Sequence, residues 1–140
     1  MSISNELASK IEAMPKVEIH VHLEGATDAE TIFELARRNG VALPARSLAE
    51  WKRFYQFTSF DHFIDVYMMA SRCVQSADDF AFLAERFLAH QARQNIRYSE
   101  VFLSVSHHLQ KMPAAELLAA LGAGLASGET KHGSRARLAA

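Results

Sequence analysis

From Val17 to Glu24 the chain alternates aliphatic and polar residues, Val-Glu-Ile-His-Val-His-Leu-Glu. A period of two over that length predicts a β-strand. In an extended strand Val17, Ile19, Val21 and Leu23 share one face, expected to be buried. Glu18, His20, His22 and Glu24 share the other. Same-face neighbours lie roughly 6 to 7 Å apart, so the two imidazoles can converge on one metal ion just beyond the strand end. Gly25 permits a sharp turn there. With seven histidines in the chain, a chance His-x-His on a surface strand is the competing reading. The setting favours a metal. A buried imidazole needs a partner for each nitrogen, and neutral imidazole is the commonest metal ligand.

The rest of the chain reads as helices and strands in alternation. Leu7, Ile11 and Met14 mark a short helix over 5–14, ended by Pro15. Thr27-Asp-Ala-Glu30 has the form of a capping box, Ile32, Leu35 and Ala36 make a buried stripe, and Gly40 suits the left-handed closing position. Residues 41–57 are irregular, with a helical turn around 48–54 and an aromatic cluster of Trp51, Phe54, Tyr55 and Phe57. A helix over 59–74 carries Phe60, Phe63, Ile64 and Tyr67 at i, i+3, i+4 and i+7. Ser76-Ala-Asp-Asp79 caps the next, whose stripe is Phe80, Leu83, Ala84, Phe87 and Leu88. Asn95-Ile-Arg breaks it, and 98–105 reads as a second strand. Pro113 opens a helix through Leu117, Leu118, Leu121 and Leu125. Gly128 and Gly133 loosen the chain before Arg135-Ala-Arg-Leu-Ala, the start of a third strand. Such alternation predicts parallel strands joined by right-handed crossovers. Function is then expected at the C-terminal strand ends, where His20, His22 and Glu24 follow the first strand and Ser104, Ser106, His107 and His108 the second.

Composition narrows the classes. At 140 residues the chain holds one domain at most. A net charge of −1 leaves no electrostatic footprint for nucleic acid or an anionic membrane. Single Cys73 excludes an internal disulfide and fits a reducing compartment; its expected place is a helix core. No run approaches the roughly 20 apolar residues of a membrane span, and the N-terminus lacks the regions of a secretory signal. The expected location is cytoplasmic.

Met14-Pro-Lys-Val-Glu-Ile-His-Val-His-Leu-Glu-Gly25 resembles the opening strand of the adenosine and adenine deaminases, within the amidohydrolase superfamily. Residues 27–44 are similar to their first helix and turn, Phe60-Asp-His-Phe-Ile-Asp-Val-Tyr67 to their lid helix, and Gln94-Asn-Ile-Arg-Tyr-Ser-Glu100 to the entry of their second strand. The resemblance implies an α/β fold, the N-terminal part of a (β/α)8 barrel of the metal-dependent hydrolase type. Such a barrel needs about 250 residues, so residues 1–140 are expected to be a single partial domain: two βα units and the start of a third.

The resemblance also implies a chemistry, attack of water on the amidine-like carbon of a purine with loss of ammonia. One zinc or other divalent ion per site activates that water, and His20 and His22 are two of its ligands. The remaining ligands and a glutamate proton shuttle beside a His-Ala-Gly-Glu-type motif come from later strands, and this sequence contains no such motif. The expected substrate contacts are His22, Glu24, Phe60, Phe63, Ile64 and Tyr67. Glu24 stands where many adenosine deaminases carry an aspartate near the ribose 5′-hydroxyl, and both substrate contact and a hydrogen-bonding role behind the site remain open for it. The resemblance places His107 and His108 after the second strand near the site rim, as structural or rim residues rather than metal ligands. The substrate is adenosine, adenine or a derivative such as aminodeoxyfutalosine. Two other functions compete: a non-catalytic fragment acting through a partner chain or self-association, and another amidohydrolase reaction.

Overall fold

The computed structural model describes residues 3–139. Helix α1 (Asn5–Ala13) leads through Pro15 into strand β1 (Lys16–His22). Three helices follow, α2 (Ala29–Asn39), α3 (Leu48–Phe54) and α4 (Phe60–Cys73), and then the long crossover helix α5 (Ala77–Arg93). Strand β2 (Ile96–Phe102), a short helix α6 (Val105–His108), helix α7 (Ala114–His132) and strand β3 (Arg135–Leu138) complete the order. The strands form one parallel sheet in the order β1-β2-β3. This is the α/β arrangement of an incomplete barrel wall.

Helix boundaries follow local chemistry. Ser59 and Ser76 accept from His62 N and Asp79 N, and Asp79 returns the bond to complete a capping box. Gly40 and Gly133 close α2 and α7 in the left-handed conformation. At α2 the cap is Asp28, which accepts from Thr31 N, and not Thr27. Thr27 instead turns its hydroxyl back to Leu23 O at 2.8 Å, because the chain is still rounding the end of β1. The second strand starts and stops earlier than its alternation predicts, since Val105 to His108 wind into α6. Pro113 sits one place before α7 as its N-cap.

The main correction concerns β1. Between Glu18 and Val21 this strand advances three residues while β2 advances from Ser99 to Val101. One extra residue is accommodated at His20, whose φ is 59°. A bulge shifts the alternation by one place and so exchanges the faces. Before it, Glu18 points to the helices and accepts from Gln91 on α5 at 2.5 Å, leaving Val17 and Ile19 70% and 67% exposed. After it, Val21 and Leu23 are buried while His22 stays on the open face. The four aliphatic residues therefore do not form one buried face.

The core lies between the sheet and α5 and α7, built from Phe80, Leu83, Ala84, Phe87 and Leu88 with Leu117 and Leu121. Leu118 is exposed. Gly128 does not loosen the chain. With Gly124 it lies inside α7 against α5, and a Cβ on Gly124 would sit 2.3 Å from Ala81 O.

Candidate active site

The bulge determines how the two histidines stand. A non-glycine residue in the left-handed region is uncommon and costs about 1 to 3 kcal/mol. Here it brings His20 onto the open face next to His22, with ring centroids 5.7 Å apart. Phe102, the register partner of His22 on β2, packs against both rings, 4.6 Å from His20 and 6.0 Å from His22. Two imidazoles bound to one ion through one nitrogen each would place their centroids about 5 Å apart. The pair is within a small side-chain adjustment of that geometry, and both rings are solvent-accessible, so the donors fit a divalent ion. Among the described residues no group of three or more His, Cys, Asp or Glu side chains is gathered to hold a metal.

Beside His22 a cavity of about 310 Å³ opens at the C-terminal end of the strands, lined by His22, Gly25, Phe63, Ile64, Tyr67 and Ser104. Four of the six expected substrate contacts, His22, Phe63, Ile64 and Tyr67, thus meet in one place. Phe60 does not join them; it is 73% exposed at the first turn of α4. The opposite face of α4 carries Val66, Ala70 and Cys73 into the core, so the aromatic stripe is free to cover the cavity. Cys73 is a core thiol, as expected, with burial pushing it up to about 11. Aromatic contacts continue from Phe63 to Phe57 and on to Tyr55 and Trp51, tying α4 to the buried end of α3. Gly25 serves close packing: a Cβ there would lie 3.4 Å from the Tyr67 ring.

Glu24 lies behind the cavity and is 1% exposed. Its Oε1 accepts from Ser104 N at 2.9 Å and is 3.2 Å from His108 Nε2. With Gly25, Phe63 and Tyr67 it borders a separate narrow void. His108 is not at the rim: it is fully buried, edge-on to Phe80 at 4.8 Å. The His107 side chain lies outside the described residues. Tyr67 Oη and Ser104 Oγ are 2.5 Å apart. Burial pushes the Tyr67 phenol up and the Glu24 charge adds to this, while the Ser104 hydrogen bond works against it. Ser104 and Phe102 had no motif to mark them, although the strand-end rule points to Ser104. His108 had no signal that separates a buried histidine from one at the rim.

The family model described as adenosine deaminase matches residues 15–140. An adenine deaminase of Ralstonia nicotianae is 32% identical over 139 residues, covering 99% of this chain and 40% of that protein. The solved adenine deaminase of Arthrobacter aurescens superimposes with a TM-score of 0.76 at 31% identity, covering 90% of this chain and 39% of that one. A zinc-bound amidohydrolase structure from Burkholderia ambifaria superimposes at 0.83 with 28% identity, over 99% and 38% of the two chains. The chain thus spans about 40% of the length of the curated relatives it matches. With its parallel sheet, histidine pair and covered cavity, this chain belongs to the adenosine deaminase family.

Proposed function

We propose that this chain forms the metal-holding and substrate-covering part of a metal-dependent purine aminohydrolase, with adenine as the favoured substrate. The observation that carries the reading is the placement of His20 and His22 at the end of β1, with His22 shared with the cavity beneath α4. The relatives named as adenine deaminases favour the free base over the nucleoside. A zinc-class ion, when bound, supplies the acidity that makes water a competent nucleophile at neutral pH. His20 and His22 would hold it, and Phe102 restrains both rings. Phe63, Ile64 and Tyr67 offer apolar surface to a purine ring and exclude bulk water, while Tyr67 Oη and Ser104 Oγ are polar groups at the cavity wall.

The experiment is a barrel completed with the remaining strands of a family member. The expected result is bound zinc by elemental analysis and ammonia release from adenine, with both lost in His20→Ala and His22→Ala. Full zinc and full rate in either variant would overturn the assignment. The 140 residues alone are expected to be inactive, because among the described residues no third metal-ligating side chain joins His20 and His22; turnover by the purified chain that disappears in His20→Ala would overturn that expectation.

A further inference from the structure

Among the described residues, two buried polar atoms behind the cavity have no hydrogen-bond partner: Glu24 Oε2 and His108 Nδ1. Burying a carboxylate and an imidazole is costly, and replacing such a pair with apolar side chains is often neutral or stabilising. Stability is therefore a poor reason for Glu24 and His108 to be there. Their connections give a better one. Glu24 Oε1 receives Ser104 N from the turn that ends β2, and the same oxygen is paired with His108 at the end of α6. Two elements that leave β2 are thereby tied to the end of β1. Ser104 then reaches across to Tyr67 Oη on α4, and Tyr67 rests on Gly25, the residue after Glu24. The contacts close a ring: Glu24, Ser104, Tyr67, Gly25.

We propose that the buried Glu24–His108 pair is a positioning element: it fixes the Ser104 turn and, through the Ser104–Tyr67 hydrogen bond, sets how α4 lies over the His22 cavity. Glu24 acts from behind the site, without touching the purine. His108 Nε2 meets the same oxygen as Ser104 N, so that Oε1 is held between the two. The benefit to substrate binding rests on the proposed reading of the cavity as the substrate site, whereas the mechanical coupling does not.

Hydrogen exchange followed by mass spectrometry on the 140-residue chain tests the coupling without requiring metal or turnover. Glu24→Ala and His108→Ala are expected to speed exchange in residues 60–73 and 103–109 by roughly tenfold or more, as loss of a charge-assisted hydrogen bond would. Exchange in 77–93 and 114–132 should change little. Glu24→Gln retains an acceptor for Ser104 N and should restore most of the protection. Tyr67→Phe removes only the hydroxyl and should free 60–73 while 103–109 stays protected. Unchanged exchange in 60–73 for Glu24→Ala would overturn the proposal. So would a uniform rise across all helices, which would assign the pair to general stability, or a Glu24→Gln chain no better protected than Glu24→Ala. A barrel with intact coupling that fails to deaminate adenine would count against the functional reading alone.

Discussion

At the scale of single residues, the backbone at His20 is the most informative detail. Its φ of 59° is conformation that glycine adopts freely and other residues adopt at a cost of roughly 1 to 2 kcal/mol. The expected stability order is therefore inverted: His20→Gly should be more stable than His20→Ala by about 1 kcal/mol in chemical denaturation. A chain in which Ala is the more stable replacement would mean the bulge relaxes elsewhere. The same bulge separates two aliphatic neighbours that look alike in sequence. Ile19→Val should cost less than about 0.5 kcal/mol, as for exposed sites, because Ile19 is 67% exposed. Leu23→Ala should cost about 3 kcal/mol, because Leu23 is wholly buried.

At the scale of elements, two positions on α7 make opposite demands on small residues. Gly122 on α7 has open space around its Cβ position, and Gly124 has Ala81 backbone at 2.3 Å. Gly122→Ala should stabilise by about 1 kcal/mol through helix propensity. Gly124→Ala should destabilise by about 3 kcal/mol, because α5 must move away. Thermal unfolding of the two variants reads this directly, and equal shifts would deny the close helix approach. At the start of α2, burial pushes the Asp28 carboxyl up, but hydrogen bonds from Thr31 and His90 outweigh it and hold the group below its usual 3.8. A carboxylate depressed in the folded state adds stability that is complete above its unfolded value and lost as pH falls through the folded one. Asp28→Ala should therefore cost about 1 kcal/mol near neutrality, and this penalty should shrink as pH drops below 3.8. A penalty that grows in acid would contradict the cap.

At the scale of the whole molecule, β2 is paired on both sides while β1 and β3 each have one partner among the described residues. Val17 and Ile19 stand exposed on the open face of the sheet, and exposed apolar surface with unpaired strand edges favours association. The purified 140-residue chain is expected to self-associate, with sedimentation showing species larger than 15.6 kDa. A monodisperse monomer with a cooperative, high-temperature transition would show that three strands and their helices suffice. None of the described helices is long and apolar enough to cross a membrane.

The sequence by itself determined what is local. Helix starts at Ser59 and Ser76, the left-handed closure at Gly40, the buried stripe from Phe80 to Leu88 and the alternation of helices with strands all depend on neighbours within a turn or on a short repeating pattern. The His-x-His pair and the stripe from Phe63 to Tyr67 were legible for the same reason. What the tertiary structure decided depends on partners far along the chain. The bulge at His20 exists only relative to β2, so alternation assigned Val17 and Ile19 to the wrong face. The burial of His108 depends on Glu24, 84 residues away, and that of Gly124 on Ala81. Periodicity describes how one segment can present its side chains; which face meets the core is decided by the segment packed against it.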